Sequence, residues 1–296
     1  MKKTLIALAA LLVWSAAQAD TLGKIRDAGV VTMGVRESSG ALSYTLGDGK
    51  YVGYHVEICE RVIKAVQKQL GLTALVTRYQ PVTSQNRIPL VQNGTVDIEC
   101  GSTTNNAARQ RDVSFAVTTY VEEVRIATKV NSGITGIAQL NGKKVATTTG
   151  TTSVQTLRKN ERASGMSFDE VYGKDHADSF LLMESGRADA FVMDGQILAG
   201  LISKAKKPAE FRIVGEVLSV EPIALVIRRD DPQFKKVVDA TIIGMMKSGE
   251  LAKLYDKWFL QPIPPANTKV SLPLSEATRA AWAMPNDKPM EDYARK

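Results

Sequence analysis

Buried-strand patterns alternate with amphipathic-helix patterns along this chain, and that alternation restricts it to a sheet covered by helices. Val30-Val31-Thr32-Met33-Gly34-Val35 reads as a buried strand, and Val56, Cys59, Val62, Ile63, Val66 and Leu70 follow at helical spacing. Leu72 to Tyr79 is a second strand, Ser84 to Asn93 a short helix and Val96 to Cys100 a third strand. The order strand, helix, strand predicts an α/β fold with a parallel sheet. Further on, Lys144 to Thr147, Thr152 to Arg162, Asp178 to Gly186 and Ala188 to Met193 repeat the alternation. A local echo links the halves. Leu90-x3-Gly94-x2-Asp97 and Leu182-x3-Gly186-x2-Asp189 both describe a helix stopped by a left-handed glycine and then a buried strand. Two similar α/β lobes follow from this, and a length of 296 residues accommodates two.

Val117 to Arg125 and Gly215 to Val226 are extended stretches rich in β-branched residues, placed where the chain would pass between lobes. Two crossings make the first lobe discontinuous, with 20–118 and 222–296 flanking a second lobe at 119–221. Asp231-Pro232 then opens two amphipathic helices that end near Phe259, before Pro262, Pro264 and Pro265. The tail beyond them is expected only to pack on the first lobe.

The amino terminus has the pattern of a cleaved export signal. Met1-Lys2-Lys3 is cationic, Leu5 to Trp14 is apolar, and Ala17-Gln18-Ala19 is a small-x-small cleavage site. Residues 1–19 are therefore expected to be removed, leaving a soluble periplasmic protein. In an oxidising compartment Cys59 and Cys100 are either a disulfide or two buried thiols. A net charge of +7 is spread along the chain instead of gathered in a block, which argues against nucleic acid as a partner.

Enzyme signatures are missing. The chain has no Gly-x-Ser-x-Gly, P-loop, His-Glu-x-x-His or dinucleotide fingerprint, and its two histidines, His55 and His176, do not form a zinc pattern with the cysteines. No metal or cofactor is expected. Cations and hydroxyls instead gather where strands end. Gly101-Ser102-Thr103-Thr104 follows a strand and precedes Arg109. Thr147 to Ser153 repeats the arrangement, and Thr83-Ser84-Gln85-Asn86-Arg87 is a third loop-to-helix start. Such positions offer free N–H groups and a favourable dipole to an anion. Arg36 and Asp194 also end strands, on the edge where open α/β sheets bind ligands. Three arginines against one carboxylate suit an acidic amino acid, whose two carboxylates and one ammonium balance the set.

Longer segments resemble a known family. Thr83-Ser-Gln-Asn-Arg-Ile-Pro-Leu90, Asn93 to Asn106, Lys174-Asp-His-Ala-Asp-Ser-Phe180 and Tyr255-Asp-Lys-Trp-Phe259 are similar to the family 3 periplasmic solute-binding proteins of ABC importers, in particular the glutamate/aspartate-binding branch. The resemblance runs from Val30 to about Pro265. It implies a type II two-lobed periplasmic-binding-protein fold with two hinge strands and a ligand cleft between the lobes. It also implies a monomer that carries L-glutamate or L-aspartate to a membrane permease. By the same resemblance, Arg109, Thr104 and Thr152 (or Thr151 in its place) hold the α-carboxylate. Asp194, Ser102 and Thr104 take the ammonium, and Arg36, Ser84, Arg87 and His176 receive the side-chain carboxylate. A periplasmic dehydratase-like enzyme on the same scaffold is the alternative.

Overall fold

Two five-stranded sheets form the centres of two lobes in the computed structural model, which describes residues 20–293. The expected export signal lies outside the described residues. In the first sheet the order is Val76–Pro81, Val30–Val35, Ile98–Glu99, Val226–Arg228, Val113–Phe115. In the second it is Asp169–Gly173, Lys144–Thr148, Ala190–Asp194, Tyr120–Lys129, Phe211–Ile223.

The wholly parallel sheet read from the sequence is corrected. In each sheet the first three strands are parallel and the remaining contacts antiparallel. In the second sheet, the two antiparallel strands are those that come from the other lobe. A strand arriving without a helical crossover has no constraint to run with its neighbours. A three-stranded hairpin sheet over Ser38–Ser39, Ser43–Gly47 and Lys50–Val52 was also not anticipated.

The amphipathic helix Tyr54–Gln69 buries Val56, Cys59, Val62, Ile63 and Val66, the stripe marked by its 3.6-residue period. They join Met33, Ile98, Phe234 and Phe259 in the core of the first lobe. The second lobe packs both faces of its sheet, Phe191 and Ile197 on one side and Val145 and Leu157 on the other. Cys59 and Cys100 form a disulfide with Cα atoms 6.4 Å apart, tying this helix to the segment that leads into the Gly101–Thr104 loop.

The long strands Tyr120–Lys129 and Phe211–Ile223 pair where the lobes join, with Tyr120 opposite Ile223, Val121 opposite Pro222 and Glu122 opposite Glu221. His55 braces this hinge. Its Nδ1–H donates to the Gly101 carbonyl (2.5 Å), so Nε2 accepts the Thr119 hydroxyl (2.7 Å). The tail does more than pack on the first lobe. Trp282 Nε1 donates to the Thr119 carbonyl, the Val121 N–H donates to Thr278 Oγ1, and the Thr118 N–H donates to the Asn286 carbonyl. The Met290 N–H reaches the Asn105 carbonyl at 2.9 Å, so the tail spans the hinge and the adjoining loop.

Candidate ligand-binding site

The lobes touch across the cleft. Ser38 Oγ donates to Asp175 Oδ1 (2.7 Å), the Ala41 N–H to Gln196 Oε1 (3.1 Å), and Lys204 Nζ lies 3.8 Å from the centre of the Tyr44 ring. Between them lies a small cavity. Ser84, Arg87, Ser102 and Thr104 line it from the first lobe, and Thr151, Thr152, His176, Met193 and Asp194 from the second. Seven of the nine residues selected from the sequence are thus walls of one cavity.

The other two, Arg36 and Arg109, adjoin it. Arg36 Nη2 donates to Ser84 Oγ (2.8 Å) and to His176 Nε2 (3.2 Å), joining the lobes, while its Nη1 is buried without a partner. Arg109 Nη1 donates to the Thr104 carbonyl (2.9 Å) and Nη2 to the Gly150 carbonyl (3.3 Å), again spanning both lobes. The helix expected to open before Arg109 is absent; the residue begins a single 3₁₀ turn, Arg109–Arg111. The preceding loop is committed elsewhere, with Thr104 bridged to Ile223 and the Asn105 N–H given to the Pro222 carbonyl. A helix-dipole site is therefore not formed there. It is formed by Thr152, the first residue of the helix Thr152–Ser164, and by His176, the first of His176–Glu184.

Burial sets the electrostatics. Desolvation and the like charge of Arg87 pull Arg36 down to about 10, with Glu99 offsetting part of the cost. Arg87 opens the helix Arg87–Gln92, donates through Nη1 to the Ser102 carbonyl (3.3 Å), and is lowered by burial. Its Nε is buried without a partner. Burial, then Arg36 and Arg87, hold the His176 imidazole far below its usual range. Asp194 ends the strand Ala190–Asp194, and its carboxyl is pushed up to about 7, first by burial and then by Glu221.

The charge count made from the sequence needs correction. Glu99, Glu122 and Glu221 are buried as well, so four carboxylates, not Asp194 alone, belong to the region. Arg36, Ser84 and His176 form one hydrogen-bonded group, whereas Glu122 and Glu221 face each other on the hinge strands and Glu122 raises no bond to any cation. Four buried carboxyl groups thus stand against three arginines, and the site carries no overall surplus of arginine. Glu122 and Glu221 stand in the crossing stretches beside Glu123 and Glu216, and strand propensity gives no hint of which of these acids point inward. Thr151 and Met193 also line the cavity; the Thr151 hydroxyl is used by the Thr148 carbonyl (2.8 Å).

Among the described residues no cluster of His, Cys, Asp and Glu has the arrangement of a metal site, and no helix is long and apolar enough to cross a membrane.

A sequence profile of the bacterial extracellular solute-binding proteins, family 3, matches residues 31–261. The chain is 46% identical over 272 residues to the glutamate/aspartate import solute-binding protein of Escherichia coli K12, covering 92% of this chain and 90% of that one. It is 46% identical over 273 residues to the L-glutamate/L-aspartate-binding protein of Pseudomonas aeruginosa PAO1, with the same coverage. Among solved structures, a solute receptor for L-cysteine from Neisseria gonorrhoeae superposes with a TM-score of 0.72 at 24% identity, over 87% of this chain and all of that one, which shows the same two-lobed fold. The chain belongs to family 3 of the bacterial extracellular solute-binding proteins.

Proposed function

We propose that the protein captures L-glutamate or L-aspartate in the periplasm by lobe closure and delivers it, as a monomer, to the permease of an ABC importer. The lobes are 20–118 with 222–296, and 119–221. The observation that carries this reading is the meeting of Arg87 and Ser84 from one lobe with His176 and Asp194 from the other on a single cavity. Closure follows from differential affinity, because only the closed form lets both lobes contact the ligand. Arg36, Ser84, Arg87 and His176 take the side-chain carboxylate. Arg109 and the start of the helix opened by Thr152 meet the α-carboxylate, and Asp194, Ser102 and Thr104 meet the ammonium. Buried guanidinium groups left without an anion are costly, which selects against glutamine. The names of the relatives at 46% identity support the ligand class and favour a carrier over a dehydratase.

Titration calorimetry with glutamate, aspartate and glutamine tests the reading. One of the two acids is expected to bind at least tenfold more tightly than glutamine. Equal affinity for glutamine contradicts it. Arg109→Ala is expected to abolish binding of all three, and Arg87→Ala to narrow the gap between glutamate and glutamine.

A further inference from the structure

Glu221 lies on the hinge strand Phe211–Ile223, is fully buried, and is bonded to neither lobe's arginines. Its Oε2 accepts the hydroxyl of Thr104 at 2.5 Å and that of Thr152 at 2.7 Å, one from each lobe, and its Oε1 accepts Ser219 Oγ at 2.8 Å. Thr104 and Thr152 are both walls of the cavity, and their Oγ1 atoms are 3.4 Å apart.

A hydroxyl has one proton and two lone pairs. With both protons given to Glu221, the oxygens of Thr104 and Thr152 offer only lone pairs to whatever occupies the cavity. Two acceptors backed by a carboxylate attract an ammonium and repel an anion. Glu122, directly opposite Glu221 in the hinge ladder, and Asp194 place two more carboxyl groups nearby, and Glu122 Oε2 is buried without a partner.

We propose that Glu221 is a specificity-determining positioning residue, which fixes the hydroxyls of Thr104 and Thr152 as acceptors and so makes the site demand an ammonium group. This rests on the amino-acid-binding reading and deepens it. It moves the Thr152 side chain from the α-carboxylate to the ammonium and leaves the carboxylate to main-chain N–H groups and Arg109. It also gives the cleft a means to discriminate against dicarboxylates of the same length that lack an amine, because such a ligand would leave the two hydroxyl acceptors held by Glu221 without a donor.

The test compares L-glutamate with 2-oxoglutarate, which keeps both carboxylates and replaces the amine by a carbonyl. Binding of each is measured by calorimetry to the wild type, Glu221→Gln and Thr152→Val. In Glu221→Gln the affinity for L-glutamate should fall at least tenfold while that for 2-oxoglutarate rises. In Thr152→Val the ratio of the two affinities should shift in the same direction, through loss of one acceptor for the ammonium. A parallel fall for both ligands in both variants would mean a structural role and overturn the proposal. A parallel rise in Glu221→Gln would mean that the carboxylate merely competes with the ligand, which also overturns it, as does an unchanged L-glutamate affinity. Failure of the wild type to bind L-glutamate, in contrast, defeats the functional reading itself.

Discussion

His176 Nε2 lies 3.2 Å from Nη2 of Arg36. A guanidinium only donates, so the imidazole must accept at Nε2 and carry its proton on Nδ1, which stands 3.0 Å from Thr148 Oγ1. Burial and two arginines keep it neutral. Nitrogen-detected NMR should show a bare Nε2 and a protonated Nδ1 for His176, with no titration in the range of a free imidazole. His176→Lys should abolish binding of acidic amino acids, since a fixed cation here meets Arg36 directly.

Affinity should depend on pH through Asp194. Its carboxyl, raised to about 7, is largely protonated below that value, and an incoming ammonium favours the ionised form. Ligand binding therefore expels a proton and tightens as the pH rises toward 8. At pH 6 the affinity should be up to about tenfold lower than above 7, since one pH unit corresponds to about 1.4 kcal/mol. Calorimetry in buffers of different ionisation enthalpy measures the released proton. Asp194→Asn should lose the dependence along with most of the affinity.

Stability of the ligand-free protein should show two opposed titrations. His55 is held neutral by burial, at about 4 instead of 6.5, so its contribution is complete above 6.5 and is lost as the pH falls toward 4. Asp194 acts oppositely: ionising its buried carboxyl lowers stability as the pH rises from 3.8 to about 7. Comparison with His55→Gln isolates the first. The destabilisation caused by that substitution, read from urea unfolding, should shrink by about 2–3 kcal/mol between pH 7.5 and 4.5.

Closure should fail when Gly150 gains a side chain. The residue has φ +81°, and an added Cβ would lie 2.8 Å from the Cα of Gln85 across the cleft. Gly150→Ala should cost about 1 kcal/mol or somewhat more in stability from the left-handed backbone. It should weaken ligand binding at least tenfold, because the clash exists only with the lobes together. Small-angle scattering should show that ligand no longer compacts the variant.

The disulfide spans 41 residues of sequence, for which loop-closure entropy predicts about 4 kcal/mol of stabilisation. The Cys59→Ala/Cys100→Ala variant should unfold at lower urea by that amount. A loss under 1 kcal/mol would mean that the packing of helix Tyr54–Gln69 supplies the constraint unaided.

The parts of this molecule that were legible in its sequence are those governed by local rules. The stripe Val56, Cys59, Val62, Ile63 and Val66 marks its helix because a 3.6-residue period needs no knowledge of the partner surface. Ser84, Arg87, Thr152 and Asp194 were found because they stand at the ends of elements, where groups accessible to a ligand must be, whereas His176 came only from the family resemblance. Boundaries moved by a few residues: the strand expected over Leu72 to Tyr79 is Val76–Pro81, and the helix expected from Ser84 begins at Arg87. The antiparallel additions to each sheet and the inward turn of Glu122 and Glu221 were not legible. Both depend on contacts between segments about a hundred residues apart, and a strand's alternation does not say which of its faces meets a cleft.

The tail that embraces the hinge has a consequence for grafting experiments. The match to the family profile ends at residue 261, yet three main-chain groups of the first crossing segment, on Thr118, Thr119 and Val121, are satisfied from residues 278–286. Exchanging only residues 31–261 with a relative would separate these groups from their partners and put at risk bonds worth about 1–3 kcal/mol each. Chimeras that preserve every pocket residue would then differ in how readily they open, and transplanted specificity would be misjudged unless the last thirty or so residues travelled with it.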